Sequence, residues 1–217
     1  KYLDGGELSE AEIIAGLRAT IDAAGSPPVC LATVLVGDDR PSQLYVASKR
    51  KLAGEAGMVS QHVGLPADAS QAQVEDAVAA LVADPAVHGI LCQLPLPDGL
   101  DPEPVLALIP PEKDVDGLTE RSMGRLVRGL PGHVGCTPLG VMRLLERYGV
   151  ATKGKRATVI GRSTLTGLPQ VLLLGRKGVD CTVTLAHSRT SAADMLEVCR
   201  ASDIIVACAG QARMITA

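Results

Sequence analysis

The chain contains no Trp, no Phe and three Tyr, at positions 2, 45 and 148. A flat ligand that stacks on an aromatic ring therefore has very few residues to choose from. Basic excess is also missing: 21 Lys and Arg face 24 Asp and Glu, a formal net charge of −3. Such a surface has no field to attract nucleic acid or an anionic membrane. There is no apolar run of membrane length and no signal-peptide pattern, which predicts a cytoplasmic protein with no membrane partner. Cysteines occur at 30, 92, 136, 181, 199 and 208, without C-x-x-C and without metal-ligand spacing. They read as small core residues in a reducing compartment, not as a disulfide framework or a metal site.

What is present suits a globular protein. The 217 residues are 47% hydrophobic and 21% charged, enough for one large or two modest domains. Ser9-x-x-Glu12 reads as a capping box, with Leu8 and Ile13 as its hydrophobic staple. Ile13, Leu17 and Ile21 then recur at helical spacing and are expected to face a core until Gly25 and Pro27-Pro28 end the helix. Val29 to Val36 reads as a strand buried on both faces. Ser42 is expected to cap a helix running to about Gly57, followed by a strand from Val59 to Val63. Ser70-x-x-Gln73 caps another helix whose buried positions are Val74, Val78, Leu81 and Val82, and His88 to Leu94 is the next strand. Alternating strand and helix predicts a parallel sheet covered on both sides.

From Pro95 to Pro111 the chain is proline-rich, with a short helix expected at Pro104 to Leu108. Residues 112–117 form a compact charged turn, and the glycine-rich stretch Gly124 to Gly135 reads as a hinge between domains. Thr137 as cap with Pro138 at the first helical position begins a helix to Gly149. Strands at 157–160, 179–185 and 204–209, separated by helices at about 169–177 and 192–201, complete a β-α-β-α-β unit of dinucleotide-binding type.

Several residue groups carry chemical potential. Tyr45 and Lys49 lie four apart on one helix, so both occupy one face. A Lys desolvated beside a phenol becomes a usable general acid or base; a core Tyr beside a solvated Lys is the plainer reading of the same spacing. Gln93 closes a parallel strand, beyond whose carboxyl end ligands bind in open α/β sheets. Asp114 and Asp116 alternate within a turn and could grip the N–H edge of a heterocycle, although turn aspartates are commonly turn formers. Gly161, Arg162 and Ser163 follow a buried strand and turn into a helix, the arrangement that accepts nucleotide phosphates. Ser188 and Arg189 end the next strand, where a protein specific for NAD carries a carboxylate. With Arg162 they favour a 2′-phosphate, hence NADP.

Taken in order, Tyr45-Val46-x-x-Lys49, Gln93-Leu94-Pro95-Leu96-Pro97, Lys113-Asp114-Val115-Asp116-Gly117, Cys136-Thr137-Pro138-x-Gly140, Gly161-Arg162-Ser163 and His187-Ser188-Arg189-Thr190 are specific. The chain resembles the bifunctional methylenetetrahydrofolate dehydrogenase/methenyltetrahydrofolate cyclohydrolase family over almost its whole length. The resemblance implies two parallel-sheet α/β domains, a folate-binding catalytic domain at 1–135 and a Rossmann-like NADP-binding domain at 136–217, with the active-site cleft between them. It implies an enzyme of one-carbon metabolism, and through it of purine biosynthesis. That enzyme oxidises 5,10-methylenetetrahydrofolate with NADP and hydrolyses the methenyl product to 10-formyltetrahydrofolate.

Carried over, Lys49 becomes the acid/base of hydrolysis, Tyr45 lies over the folate near Lys49, Gln93 orients or tunes Lys49, and Asp116 anchors the pterin. Val46, Cys92 and Leu94 join these at the substrate. Thr137, Gly161, Arg162, Ser163, Ser188 and Arg189 hold the cofactor, with Arg162 and Ser188 at the 2′-phosphate. No metal is implied. The family pattern also implies a homodimer paired through its cofactor domains, and it continues past residue 217, so the second domain is expected to be incomplete at its C-terminus. Gly135 and Ala212 stand where the family usually has proline. A relative keeping one activity, or a non-catalytic nucleotide-binding protein, are the alternatives.

Overall fold

The computed structural model describes residues 10–210 and residue 214. The chain divides into two compact units, one extending to Val115 and including Thr119–Arg121, the other made of Asp116–Leu118 and the chain from Ser122 onward. Residues 116–118 and 122–135 thus group with the second unit, although the glycine-rich stretch alone suggests a boundary at 135.

In the first unit, α1 (Glu10–Ala23), β1 (Cys30–Val36), α2 (Arg40–Glu55), β2 (Val59–Leu65), α3 (Gln71–Ala83), β3 (Gly89–Cys92) and α4 (Pro102–Ala107) follow one another. The strands are parallel in the order β2-β1-β3, with Val34 opposite Val63 and Cys92. As the central strand, β1 buries Ala32 through Val36, which explains its near-continuous apolar sequence. The step from β1 to β2 runs one way across the sheet and the step from β2 to β3 runs back. Right-handed crossovers then put α2 and α3 on opposite faces. The carboxyl ends of β1 and β3 flank that reversal, which is where open α/β sheets bind ligands. Residues 113–115 extend the sheet beyond β3: the Ile90 N–H donates to the Lys113 carbonyl at 2.7 Å, and Ile90 and Asp114 form a parallel bridge.

Local signals held where they were closed over a few residues. Ser70 and Gln73 form both halves of the capping box on α3, and Val74, Val78 and Leu81 are buried; Val82 is half-buried. The cap of α2 is Asp39, three residues earlier than expected, because its carboxylate accepts the Ser42 N–H at 2.9 Å and leaves Ser42 inside the first turn. The short helix α4 begins at Pro102, capped by Asp101, instead of at Pro104. The stripe on α1 is not core: Ile13 is 51% and Leu17 43% exposed, and no residue of the helix is buried. Periodicity identifies which face is apolar, not what covers it. The proposed capping box at Ser9 and staple at Leu8 lie outside the described residues.

After the first unit come α5 (Glu120–Val127), α6 (Cys136–Arg147), β4 (Arg156–Ile160), α7 (Gly167–Gly175), β5 (Thr182–Ala186), α8 (Ala192–Arg200) and β6 (Ile204–Ala207). Helix α5 occupies the start of the stretch read as a hinge. Its Ser122 is buried, so tertiary contact outweighs the cost of Gly124 in a helix, which is about 1 kcal/mol. Helix α6 starts at Cys136 with Gly135 as its cap and no side-chain capping bond, so Thr137 sits within the first turn instead of before it. Pro138 is tolerated there because first-turn N–H groups have no intrahelical partner. The second sheet is parallel in the order β5-β4-β6, with Ile160 opposite Ala186 and Ala207. Strand β5 begins at Thr182 and not at Val179, because the chain is still turning at Asp180, whose φ is +61°. Among the described residues no helix is long and apolar enough to cross a membrane. The departure at Ala212 lies outside the described residues.

Candidate active site

In the first unit the candidate residues gather around two elements. Helix α2 leaves the loop after β1 and carries Tyr45, Val46 and Lys49. Val46 is buried against the sheet, which turns Tyr45 (65% exposed) toward the surface and leaves Lys49 half-buried. The Lys49 side chain makes no hydrogen bond or ion pair among the described residues. At the end of β3, Cys92 is buried and the ladder runs one residue further, the Gln93 N–H donating to the Val34 carbonyl at 2.9 Å. The Gln93 amide Nε2 donates to the Leu94 carbonyl at 2.7 Å, not to Lys49. Its Oε1 is buried with no partner among the described residues. A buried acceptor without a donor is costly to leave unmet, and this one sits beyond the carboxyl end of a strand at the winding reversal.

The two aspartates of the charged turn have different positions. Asp114 is 2% exposed, and its carboxylate accepts the Thr119 N–H at 2.9 Å, so it braces the chain. Asp116 is half-buried and groups with the second unit, whereas Lys49 and Gln93 belong to the first. Lys113, between α3 and that turn, donates from Nζ to the carbonyls of Val82 at 2.9 Å and Asp84 at 2.7 Å.

In the second unit, β4 runs into Gly161, whose φ is +127° and whose N–H donates to the Ala186 carbonyl at 2.8 Å. A Cβ on Gly161 would meet the Cys208 carbonyl oxygen at 2.9 Å, and one on Gly167 would fall on the Gly161 carbonyl. Both glycines therefore let strand, turn and helix backbones approach without side chains between them. The expected unpaired N–H groups are not those opening α7. Ser163 accepts the Thr166 N–H on its Oγ at 3.2 Å and the Leu168 N–H on its carbonyl at 3.0 Å. The N–H groups of residues 162–165 have no hydrogen-bond partner among the described residues. A run of turn N–H groups after a buried strand is an anion-accepting concavity. Arg162, Ser188 and Arg189 are exposed, and the guanidinium of Arg162 has no partner among the described residues. Thr137 is exposed on the first turn of α6. The missing Cβ atoms, the open N–H groups and the unpaired cation fit a phosphorylated dinucleotide.

Of the six cysteines expected in the core, Cys30, Cys92 and Cys181 are buried, whereas Cys136 is exposed and Cys199 and Cys208 are half-buried; burial pushes the Cys181 thiol up from its ordinary value. Among the described residues no cluster of His, Cys, Asp or Glu could hold a metal. Two features escaped the sequence reading. The orphaned Gln93 oxygen has no sequence signature, and the bracing role of Asp114 is visible only once Thr119 is seen beside it.

Comparison with known proteins matches two family models to separate parts of the chain. Residues 3–116 match the family model "Tetrahydrofolate dehydrogenase/cyclohydrolase, catalytic domain", and residues 135–217 match its "NAD(P)-binding domain". The Bifunctional protein FolD of Desulfovibrio desulfuricans is 46% identical over 216 residues, covering 97% of this chain and 75% of that protein. The crystal structure of the bifunctional methylenetetrahydrofolate dehydrogenase/cyclohydrolase of Campylobacter jejuni superposes with a TM-score of 0.91 at 36% identity, over 98% of this chain and 75% of that one. The methylenetetrahydrofolate dehydrogenase-cyclohydrolase of Trypanosoma brucei, solved with NADP cofactor and inhibitor, gives 0.85 at 38% identity, over 93% and 68%. Two matching domain models and relatives of this identity across nearly the whole chain leave one assignment: the chain belongs to the tetrahydrofolate dehydrogenase/cyclohydrolase family.

Proposed function

We propose that this chain oxidises 5,10-methylenetetrahydrofolate to the methenyl compound with NADP and hydrolyses that compound to 10-formyltetrahydrofolate. The observation that carries this reading is the tandem match of a catalytic and an NAD(P)-binding family model to a chain that retains Tyr45, Lys49, Gln93 and Asp116. The first unit is the folate-binding, catalytic part and the second binds the cofactor.

NADP, when bound, supplies the hydride acceptor. The chain's own task in that step is alignment, since hydride loss leaves a cation stabilised by its two nitrogens. Gly161 and the turn N–H groups of residues 162–165 would cradle the pyrophosphate, with Ser163 holding the turn and Thr137 beside it. Arg162, Ser188 and Arg189 would take the 2′-phosphate. In hydrolysis, water adding to the methenyl carbon gives up one proton to solvent as the hydroxyl adduct forms, and the adduct's hydroxyl proton passes to the departing ring nitrogen as the C–N bond breaks and the formyl C=O forms. The Lys49 amine serves both transfers. Gln93 Oε1 accepts from the ammonium form or from a pterin N–H, Tyr45 covers the folate, and Asp116 anchors the pterin, with Val46, Cys92 and Leu94 shaping the wall. In the same reading the chain works in the cytoplasm as a homodimer, in one-carbon metabolism feeding purine biosynthesis. Support for these last points is the family pattern alone.

The test is an assay of the purified chain with methylenetetrahydrofolate and NADP, following methenyl absorbance and its decay. Appearance and then loss of the methenyl signal is expected. A methenyl signal that accumulates and decays only at the uncatalysed rate would leave a dehydrogenase alone. No signal in either phase would sink the reading.

A further inference from the structure

The turn after β5 is tied together by His187. Its N–H donates to Thr190 Oγ1 at 2.9 Å, and the Thr190 N–H returns to the His187 carbonyl at 2.8 Å. Inside that closed turn, the Arg189 N–H donates to His187 Nδ1 at 3.2 Å. A ring nitrogen that accepts from the main chain carries no proton, so the neutral imidazole holds its proton on Nε2. The ring does what an Asn side chain does in an Asx-turn: it accepts an N–H two residues on and reinforces the backbone turn. The residues enclosed between His187 and Thr190 are Ser188 and Arg189, both exposed. They are the residues that the reading above assigns to the 2′-phosphate.

We propose that His187 is a positioning residue that sets cofactor specificity, its Nδ1 preorganising the Ser188–Arg189 turn for the 2′-phosphate of NADP. The proposal rests on the cofactor-site reading given above. A turn already ordered adds no ordering cost when the phosphate arrives. NAD has no group there, so its binding gains nothing from the order. Specificity is a difference of affinities, and the ring acts on one side of that difference.

Three substitutions separate positioning from direct contact. H187N keeps an acceptor at the Nδ1 position, H187Q keeps a donor near the Nε2 position without that acceptor, and H187L keeps neither. The measurement is the calorimetric Kd of each purified variant for NADP and for NAD, with Arg162→Ala in parallel. The NAD value serves as an internal control for folding. The ratio of NAD to NADP dissociation constants is expected to fall about five- to tenfold in H187L and H187Q, from weaker NADP binding, and to stay within about twofold in H187N. Recovery by H187Q and not by H187N would overturn the proposal in favour of a direct contact from Nε2. A ratio unchanged in all three, with Arg162→Ala lowering it, would overturn the proposal and leave the cofactor site standing. A ratio unchanged in Arg162→Ala as well would remove the site reading beneath it.

Discussion

Lys113 Nζ lies 2.7 Å from the carbonyl oxygen of Asp84, just past the end of α3, and also reaches the carbonyls of Val82 at 2.9 Å and Leu81 at 3.4 Å. Those carbonyls have no further helical turn to bond, and the ammonium satisfies them while opposing the negative end of the helix. Lys113→Met keeps the aliphatic stem and removes the donors. It should lower stability by about 1–2 kcal/mol, read as a lower urea midpoint at an unchanged slope. An unchanged midpoint would mean that water replaces the ammonium at no cost.

Asp203 bridges the start of β4: its Oδ2 accepts the Arg156 N–H at 2.9 Å and its Oδ1 lies 3.2 Å from Lys155 Nζ. The Arg156 N–H, and after it Lys155, holds the carboxyl below its ordinary value. A carboxylate depressed in the fold contributes stability above its unfolded value of about 3.9 and loses it as pH falls through the lower, folded value. Asp203→Asn should therefore flatten the loss of stability on acidification below about pH 4. Parallel pH–melting curves for the two proteins test the sign.

Lys49→Met removes the proposed proton carrier from α2 with no hydrogen bond or ion pair to break among the described residues. Hydrolysis of methenyltetrahydrofolate should fall about a hundredfold or more, with NADP binding within about twofold of the parent. Methenyl absorbance decay gives the first quantity and calorimetry the second. Full hydrolysis by the variant would take Lys49 out of its role.

Gly167→Ala would put a methyl group on the Gly161 carbonyl and 2.9 Å from the Arg162 backbone nitrogen. Backbone must move to admit it, at about 1–3 kcal/mol. The thermal midpoint should drop, and the further rise that NADP produces should shrink with it. An equal NADP-induced rise in both proteins would show that the turn relaxes without touching the cofactor.

How much of this was legible in the chain depended on how far each signal reaches. The Ser70–Gln73 box and the buried run of β1 are local or nearly so, and both appear where the residues indicate. The cap of α2 moved to Asp39 because two good capping residues compete within four positions. Helix α5 was hidden by Gly124 and the glycines after it, since burial of Ser122 has no local signature. Strand order could not be read at all: a β-α-β-α-β pattern is compatible with several orders, and in both sheets the first strand proved central. At the candidate site, the motifs named the residues but not their states. Nothing in Asp114-Val115-Asp116 says that the first carboxylate is spent on Thr119.

The Ser163 contacts have a kinetic consequence. Because this side chain and its carbonyl already occupy the N–H groups of Thr166 and Leu168, the turn before α7 is shaped before any phosphate arrives. An anion meeting such a surface need not wait for a loop to fold, and its capture rate is set by encounter and orientation. Differences in cofactor affinity among variants of this turn should then appear in how long the dinucleotide stays, not in how fast it lands.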